Sequence, residues 1–294
     1  MGTISGKQKT RRRVQFLFVP LSFFLVEVFA FFFLSLNTEE FRPAQLWPLA
    51  FGALWAAILS GFVRLLPAKA GRVAYGILYF AAAIYAAVET GYFYLFSEMM
   101  WLSDFRYASE GSDYFSVLLS YPIGWWLGLA ALIVQGVVIL VNFPGWRQKW
   151  STGIAAAAVA VAASVGAACL PQAVFLQDGD IRYASSDYGR VQSAEAAYDN
   201  MFNAHRLYQV CGLYQTLEKD IYKNGIYPLT PSCAAAQKAG KAEINAYFAG
   251  RTVGGDNEMT GLLEGKNVVL VLMESMDDWM IGKYTPTLQR LMSE

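Results

Sequence analysis

The chain has 294 residues, of which 55% are hydrophobic and only 16% are charged, whereas about 25% of the residues in an average soluble domain are charged. Lys and Arg together number 23, as do Asp and Glu, so there is no basic excess to neutralise nucleic-acid phosphates. This composition argues against a nucleic-acid partner and points to a membrane protein.

The first part of the chain contains long apolar stretches separated by short polar breaks. A helix needs about 20 apolar residues to cross a bilayer, because backbone polar groups must be satisfied inside the hydrocarbon. Five stretches have this length: 14–36, 46–66, 73–96, 123–143 and 152–175. We therefore predict a polytopic α-helical membrane domain with five spans in residues 1–176. After Gln177 the composition becomes that of a soluble protein.

The basic residues between these stretches predict the orientation of the chain, because cytoplasmic loops are enriched in Lys and Arg. The loop 97–122 has one Arg against four acidic residues, which predicts an outer loop. An odd number of spans then places everything after Phe175 outside the cell. Basic residues accumulate at the ends predicted to be cytoplasmic: Lys7, Lys9, Arg11, Arg12, Arg13, Arg64, Lys69, Arg72, Arg147 and Lys149.

Two carboxyl side chains fall inside predicted spans, Glu27 in the first and Glu89 in the third. A charge inside the bilayer is costly and often functional. One interpretation is a contact with a lipid headgroup or a path for protons. The other, which we favour, is a protonated or hydrogen-bonded glutamate that holds helices together.

Residues 193–223 show apolar positions at helical spacing, with a potential break at Gly212. The pattern predicts a helical arm packed on a globular domain; a surface-lying amphipathic helix is the alternative. Residues 177–264 as a whole are predicted to form an extracytoplasmic helical linker. His205, the only histidine, is predicted to be structural. Cys211 and Cys233 are both predicted to lie outside the membrane, where a disulfide is chemically permitted, and their spacing leaves that bond undecided.

Residues 265–276 contain a short run rich in Val and Leu that is typical of a buried parallel strand. Glu274 stands at the carboxyl end of this run, the edge at which open α/β sheets bind ligands. A carboxylate there can bind a hard divalent cation, although a loop residue without such a role is the commoner case. Thr285 and Pro286 then predict the start of a helix.

The order of these elements resembles that of the lipoteichoic acid synthase family. Members of this family are membrane phosphoglycerol transferases whose extracytoplasmic domain has the sulfatase-like α/β fold. The likeness in architecture covers the whole chain. At residue level it is specific over residues 265–294, which include Lys-Asn-Val-Val-Leu-Val-Leu-Met-Glu-Ser and Thr-Pro-Thr-Leu-Gln-Arg-Leu-Met. The resemblance implies that residues 265–294 begin a sulfatase-like domain, truncated here.

The resemblance also implies a chemistry. Glu274 matches the family's metal ligand, so we expect it to bind a divalent ion, Mn²⁺ or alternatively Mg²⁺. The family's threonine nucleophile would lie beyond residue 294, and Thr285 and Thr287 are better explained by the helix start. The expected substrate is phosphatidylglycerol in a bacterial cell membrane, and the acceptor is a growing glycerol-phosphate polymer. The 294 residues alone are expected to be inactive.

Other functions remain open at this point. A phosphoethanolamine transferase, a membrane sulfatase and an osmoregulated-glucan phosphoglycerol transferase belong to the same superfamily. The phosphoethanolamine transferases tend to carry Gly-Glu at the strand end, where this chain has Met273-Glu274. A non-enzymatic polytopic protein, such as a transporter subunit or a sensor, is the rival from another class. Glu27 and Glu89 support that rival, whereas the sequence shows no internal repeat that would support a transporter.

Overall fold

The computed structural model describes residues 6–35, 46–107, 117, 120–143, 150–177, 193–251, 255–267, 272, 280–282 and 284–293. The chain divides into two compact units, Met1–Ala235 and Ala236–Glu294. The five apolar stretches and the helices that follow them up to residue 235 belong to the first unit.

Five long helices confirm the predicted spans. They are α1 (Gly6–Leu34), α2 (Trp47–Leu65), α3 (Ala68–Phe96), α4 (Ile123–Val141) and α5 (Trp150–Gln177). Each contains a segment that is long and apolar enough to cross a membrane, so this chain is a multi-pass membrane protein. These segments are Leu17–Leu34, Trp47–Leu65, Ala68–Phe96, Ile123–Val141 and Ala155–Phe175.

Helix α1 lies at the centre of the bundle and packs against α2, α3 and α4, while α5 packs against α2. We call the end of the bundle that carries Leu34, Trp47 and Phe96 the upper end. Trp47 and Phe175 pack in one apolar cluster, so α5 runs antiparallel to α2 and finishes at this same end.

Two stacked tyrosines in the bundle core, Tyr75 and Tyr79, have partners for their hydroxyl groups. Phe23, Tyr75 and Tyr79 are fully buried, and the two tyrosine rings stack with centroids 5.4 Å apart. The Tyr75 hydroxyl donates to Ser22 Oγ at 3.2 Å, and the Tyr79 hydroxyl donates to the Leu132 carbonyl at 2.7 Å. Such interhelical hydrogen bonds satisfy polar groups that lipid cannot.

Beyond the spans, the first unit continues with short helices. These are α6 (Ala194–Asn200), α7 (Ala204–Asp220), a π turn (Ile221–Ile226), a 3₁₀ turn (Tyr227–Leu229) and the start of α8 (Pro231–Ala249). Ser193 and Asn203 cap α6 and α7, since their side-chain oxygens accept from the amides of Ala196 and Arg206. The helical pattern predicted for residues 193–223 is confirmed.

The surroundings of α7 differ from those predicted. The sequence predicted packing on a globular domain, whereas within the first unit α7 packs against the spans α2, α1 and α5 as well as against α6 and the π turn. Leu207, Val210 and Leu213 are buried. Residues 193–223 are therefore an integral part of the upper end of the bundle.

The end of the chain forms α9 (Pro286–Ser293), which confirms the helix predicted to start after Thr285. The predicted strand and Glu274 lie outside the described residues, apart from Leu272. No strand occurs within the described ranges, where Ile281 and Thr285 form one isolated bridge. The sulfatase-like domain stays a prediction.

A tight glycine contact tests the packing of the bundle. A Cβ added to Gly136 in α4 would overlap the buried Tyr79 ring, whereas one added to Gly124, in the same helix, meets nothing within 4 Å. Overpacking costs about 1–3 kcal/mol. We expect Gly136→Ala to lower the thermal unfolding midpoint in detergent, with Gly124→Ala as the matched control. Equal midpoints for the two variants would contradict this packing.

Candidate functional site

A buried carboxyl group connects α7 to the centre of the bundle. Glu27 on α1 is fully buried, and the Leu213 amide donates to its two carboxyl oxygens at 3.1 and 3.0 Å. This contact, which we call the Glu27 latch, joins residues that are 186 positions apart. It agrees with the interpretation that Glu27 is a hydrogen-bonded glutamate that holds helices together.

Gly212 interrupts the helical conformation of α7 immediately before Leu213, whose amide forms the Glu27 latch. Its φ of 74° and ψ of 176° lie outside the helical region, and a positive φ of this size favours glycine. A Cβ at this position would stand 2.8 Å from the Pro48 carbonyl oxygen and 3.1 Å from a Glu27 oxygen. The break leaves the Leu213 amide at the start of a new helical segment, where a carboxyl oxygen is a favoured acceptor.

The first half of α7 runs from the upper end into the bundle, and the second half runs back toward the upper end. His205 Nε2 lies 2.9 Å from the Leu34 carbonyl at the upper end, and the Tyr214 hydroxyl donates to the Phe23 carbonyl at 2.6 Å. Leu34 and Phe23 are eleven residues apart along α1, or about 16 Å. Asp220 accepts from the Leu102 amide beyond the end of α3, so the helix finishes at the upper end again.

Beside the second half of α7 lies a groove of about 630 Å³, which we call the upper groove. One wall consists of residues from the spans α2 and α5, and the other of residues from α6, α7 and the turns that follow. Trp55 Nε1 donates to Gln215 Oε1 at 2.9 Å and thereby joins the two walls. The span wall comprises Trp55, Ile58, Ser164, Ala167 and Ala168.

The rim of the upper groove carries charges of both signs. Lys219 and Lys223 line it together with Asp199 and Glu218. Lys219 Nζ lies 3.6 Å from the centre of the Tyr198 ring, a cation–π contact. Partial burial lowers the pKa of Lys219. The Lys223 ammonium donates to the Asn200 carbonyl, so each lysine also contacts α6.

Glu89 belongs to a second group of carboxyl side chains at the upper end. Its Oε2 accepts from the Met100 amide at 3.0 Å, while Asp104 and Asp220 accept from the next two amides, those of Trp101 and Leu102, at 2.9 and 2.8 Å. Burial raises the pKa of Asp220. These acceptors fix the turn after α3, so we assign Glu89 a hydrogen-bonded structural role.

The remaining candidates from the sequence fall in different places. Glu274 lies outside the described residues, so its surroundings are not tested. Among the residues that the structure describes, no three His, Cys, Asp or Glu side chains are grouped so that they could hold a metal ion. No disulfide joins Cys211 to Cys233, and the buried Cys211 thiol donates to the Leu207 carbonyl at 3.2 Å.

Sequence reasoning identified Glu27 and Gly212 but did not pair them, and it missed the upper groove. Lys219 and Lys223, four residues apart at the end of an apolar helical stripe, were an available signal for a charged rim. The residues of α2 and α5 that line the same groove lie more than 50 residues away in sequence. Comparisons with protein-family models, with curated proteins and with solved structures found no match.

The Glu27 latch predicts a graded response to substitution. Glu27→Ala removes the acceptor of the buried Leu213 amide, and an unsatisfied buried donor costs about 1–3 kcal/mol. Glu27→Gln keeps a carbonyl oxygen that can accept from this amide. We expect Ala to lower the thermal midpoint in detergent and to expose residues 193–229 to protease, and Gln to do so much less. Indistinguishable behaviour of the two variants would argue against the latch.

His205 predicts a pH dependence of stability. Burial lowers its pKa from the ordinary value of 6.5. At pH values between the pKa of His205 in the folded protein and its pKa in the unfolded chain, the unfolded chain binds more protons. The contribution of neutral, buried His205 to the free energy of unfolding is therefore complete above pH 6.5 and is lost as the pH falls below that value. Lowering the pH from about 7.5 to about 5.5 should therefore destabilise the wild-type protein relative to His205→Gln. The variant keeps a donor for the Leu34 carbonyl and leaves Glu98, Arg206 and the buried carboxyl groups unchanged, so the difference between the two midpoints reports the titration of His205. An identical pH dependence of the two midpoints would contradict the assignment.

Proposed function

We propose that this chain is the membrane-anchoring part of a phosphoglycerol transferase that resembles lipoteichoic acid synthase. The observation that carries the proposal is the attachment of residues 193–229 to the upper end of the bundle by buried hydrogen bonds. Chain that follows such a segment begins beside the membrane rather than at the end of a free linker. A catalytic domain attached there would meet lipid substrates without a search through solution.

The proposed reaction transfers the phosphoglycerol group of phosphatidylglycerol to a hydroxyl of a growing glycerol-phosphate polymer and releases diacylglycerol. The bond broken joins phosphorus to the diacylglycerol oxygen, and the bond formed joins phosphorus to the acceptor oxygen. The proton leaves the acceptor hydroxyl and ends on diacylglycerol. The support is the resemblance over residues 265–294, in which Glu274 stands where the family has a metal ligand.

In this proposal Glu274 offers a carboxylate oxygen to Mn²⁺ or Mg²⁺, ions that oxygen ligands suit. When bound, the ion supplies positive charge close to the phosphate. As the resemblance implies, a threonine would act as the nucleophile. Its oxygen would take the phosphoglycerol group as the bond to diacylglycerol breaks, with its proton passing to diacylglycerol. It would then release that group to the acceptor oxygen, with the acceptor's proton returning to threonine. The upper end of the bundle faces the outside of a bacterial cell, as the distribution of Lys and Arg predicts.

The test uses the full-length gene product in phosphatidylglycerol liposomes with Mn²⁺, and the release of diacylglycerol is measured. We expect Glu274→Gln to reduce release by about 100-fold, because even groups that only orient metal ligands are worth about 10–100-fold. Glu264→Gln, a matched change at an exposed position of the preceding loop, should retain activity.

Two outcomes would overturn this proposal. The first is Mn²⁺-dependent release that is unaffected by Glu274→Gln, since Glu274 would then not be a ligand. The second is the absence of release from phosphatidylglycerol. If liposomes of phosphatidylethanolamine supported release instead, the chain would belong to a phosphoethanolamine transferase.

A further inference from the structure

We propose that the upper groove binds one phospholipid whose headgroup carries both a phosphate and a primary amine, the chemistry of phosphatidylethanolamine. In this site the upper parts of the acyl chains lie along α2 and α5, and the headgroup lies between the charged residues of α6, α7 and the π turn. The inference concerns binding alone and does not depend on the proposed transferase reaction, whose lipid substrate has a different headgroup.

The span wall gives the groove the depth that a lipid requires. Ile58 is eleven residues from Trp47 along α2, and Ser164 is eleven residues from Phe175 along α5, so each lies about 16 Å from the upper end of its span. Ala168 lies one turn above Ser164 and is exposed. A ligand in the groove is therefore in contact with positions inside the hydrocarbon layer, where the available molecules are lipids.

The charges of the rim select the headgroup. Lys219 and Lys223 offer ammonium groups to a phosphate, and Asp199 and Glu218 offer carboxylates to an amine. Two positive and two negative side chains match a headgroup with one charge of each sign. An anionic headgroup such as phosphoglycerol would bring its phosphate to the lysines and leave both carboxylates without a cation. A quaternary choline group cannot donate hydrogen bonds to them.

Side chains of the rim are held in place before any ligand arrives. Gln215 accepts from Trp55 and donates to Glu218 Oε2 at 2.8 Å, which fixes Glu218 relative to the span wall. Lys219 rests on the Tyr198 ring, and Lys223 is bonded to the Asn200 carbonyl. Restraint of these side chains lowers the entropic cost of binding. The groove and its rim belong to the first unit of the chain.

The test measures binding of phosphatidylethanolamine with a fluorescent acyl chain to the purified protein in detergent. Unlabelled phosphatidylethanolamine, phosphatidylglycerol and phosphatidylcholine serve as competitors, and no Mn²⁺ is added. We expect saturable binding and competition by phosphatidylethanolamine about tenfold stronger than by the other two lipids, the difference that one charge-assisted hydrogen bond of about 1.4 kcal/mol provides.

Substitutions assign this preference to the groove. Asp199→Asn with Glu218→Gln should remove the preference for phosphatidylethanolamine over phosphatidylcholine. Lys219→Ala with Lys223→Ala should weaken binding of all three lipids about tenfold, whereas Lys238→Ala with Lys241→Ala, at exposed positions of α8, should not. Ala168→Trp should block the groove, and Val165→Trp, exposed on the same helix, is its control.

Three results would overturn the proposal: binding that is not saturable, a preference for phosphatidylglycerol, or equal binding by Ala168→Trp and Val165→Trp. Size-exclusion profiles and thermal midpoints check that the variants fold, and all of the substituted positions except the partly buried Lys219 are exposed. Because diacylglycerol release is not measured, failure of this proposal and failure of the transferase proposal are separate outcomes.

Discussion

The hydrogen bonds from the Leu213 amide to the buried Glu27 carboxyl group are the contact on which the upper half of this molecule depends. Backbone that leaves the helical conformation at membrane depth must find acceptors in the protein, because the hydrocarbon offers none. Gly212 permits the break, and Glu27 supplies the acceptor. A buried carboxyl group inside a span and an interruption of α7 would each be unfavourable alone. Here the Glu27 carboxyl group accepts the hydrogen bonds that the Leu213 amide donates, so each group satisfies the other.

The latch explains why residues 193–229 are integrated into the bundle. Tyr214 and His205 add hydrogen bonds to carbonyls of α1, and Trp55 binds Gln215, so α7 is attached to both α1 and α2. These contacts also form the upper groove, because they fix the second half of α7 opposite the α2 and α5 wall. The same hydrogen bonds therefore hold α7 in the fold and form the upper groove.

The proposed reaction and the proposed lipid site use different parts of the chain. The proposed reaction would depend on Glu274, whereas the proposed lipid binding would depend on α2, α5, α6, α7 and the turns that follow. A phospholipid held in the groove would contact both the spans and α7. It would thereby reinforce the attachment of α7 to the spans.

Hydropathy alone determined the five spans, because each must individually satisfy its backbone and present apolar side chains to lipid. Local sequence patterns also predicted the helical pattern of residues 193–223, the break at Gly212 and the start of α9 at Pro286. The sequence also marked Glu27 as unusual, since a carboxyl group inside a span needs an explanation.

Only the tertiary structure decided that Glu27 and Leu213 are partners, and that Lys219 and Lys223 face a wall built from α2 and α5. These contacts join residues about 50 to 190 positions apart, and periodicity carries no information over such distances. Packing of whole helices decides which side chains meet, because each apolar face fits several partners equally well by composition. The sequence therefore determined the five spans, the helical pattern of residues 193–223 and its break at Gly212, and the packing of α7 into the bundle determined the groove.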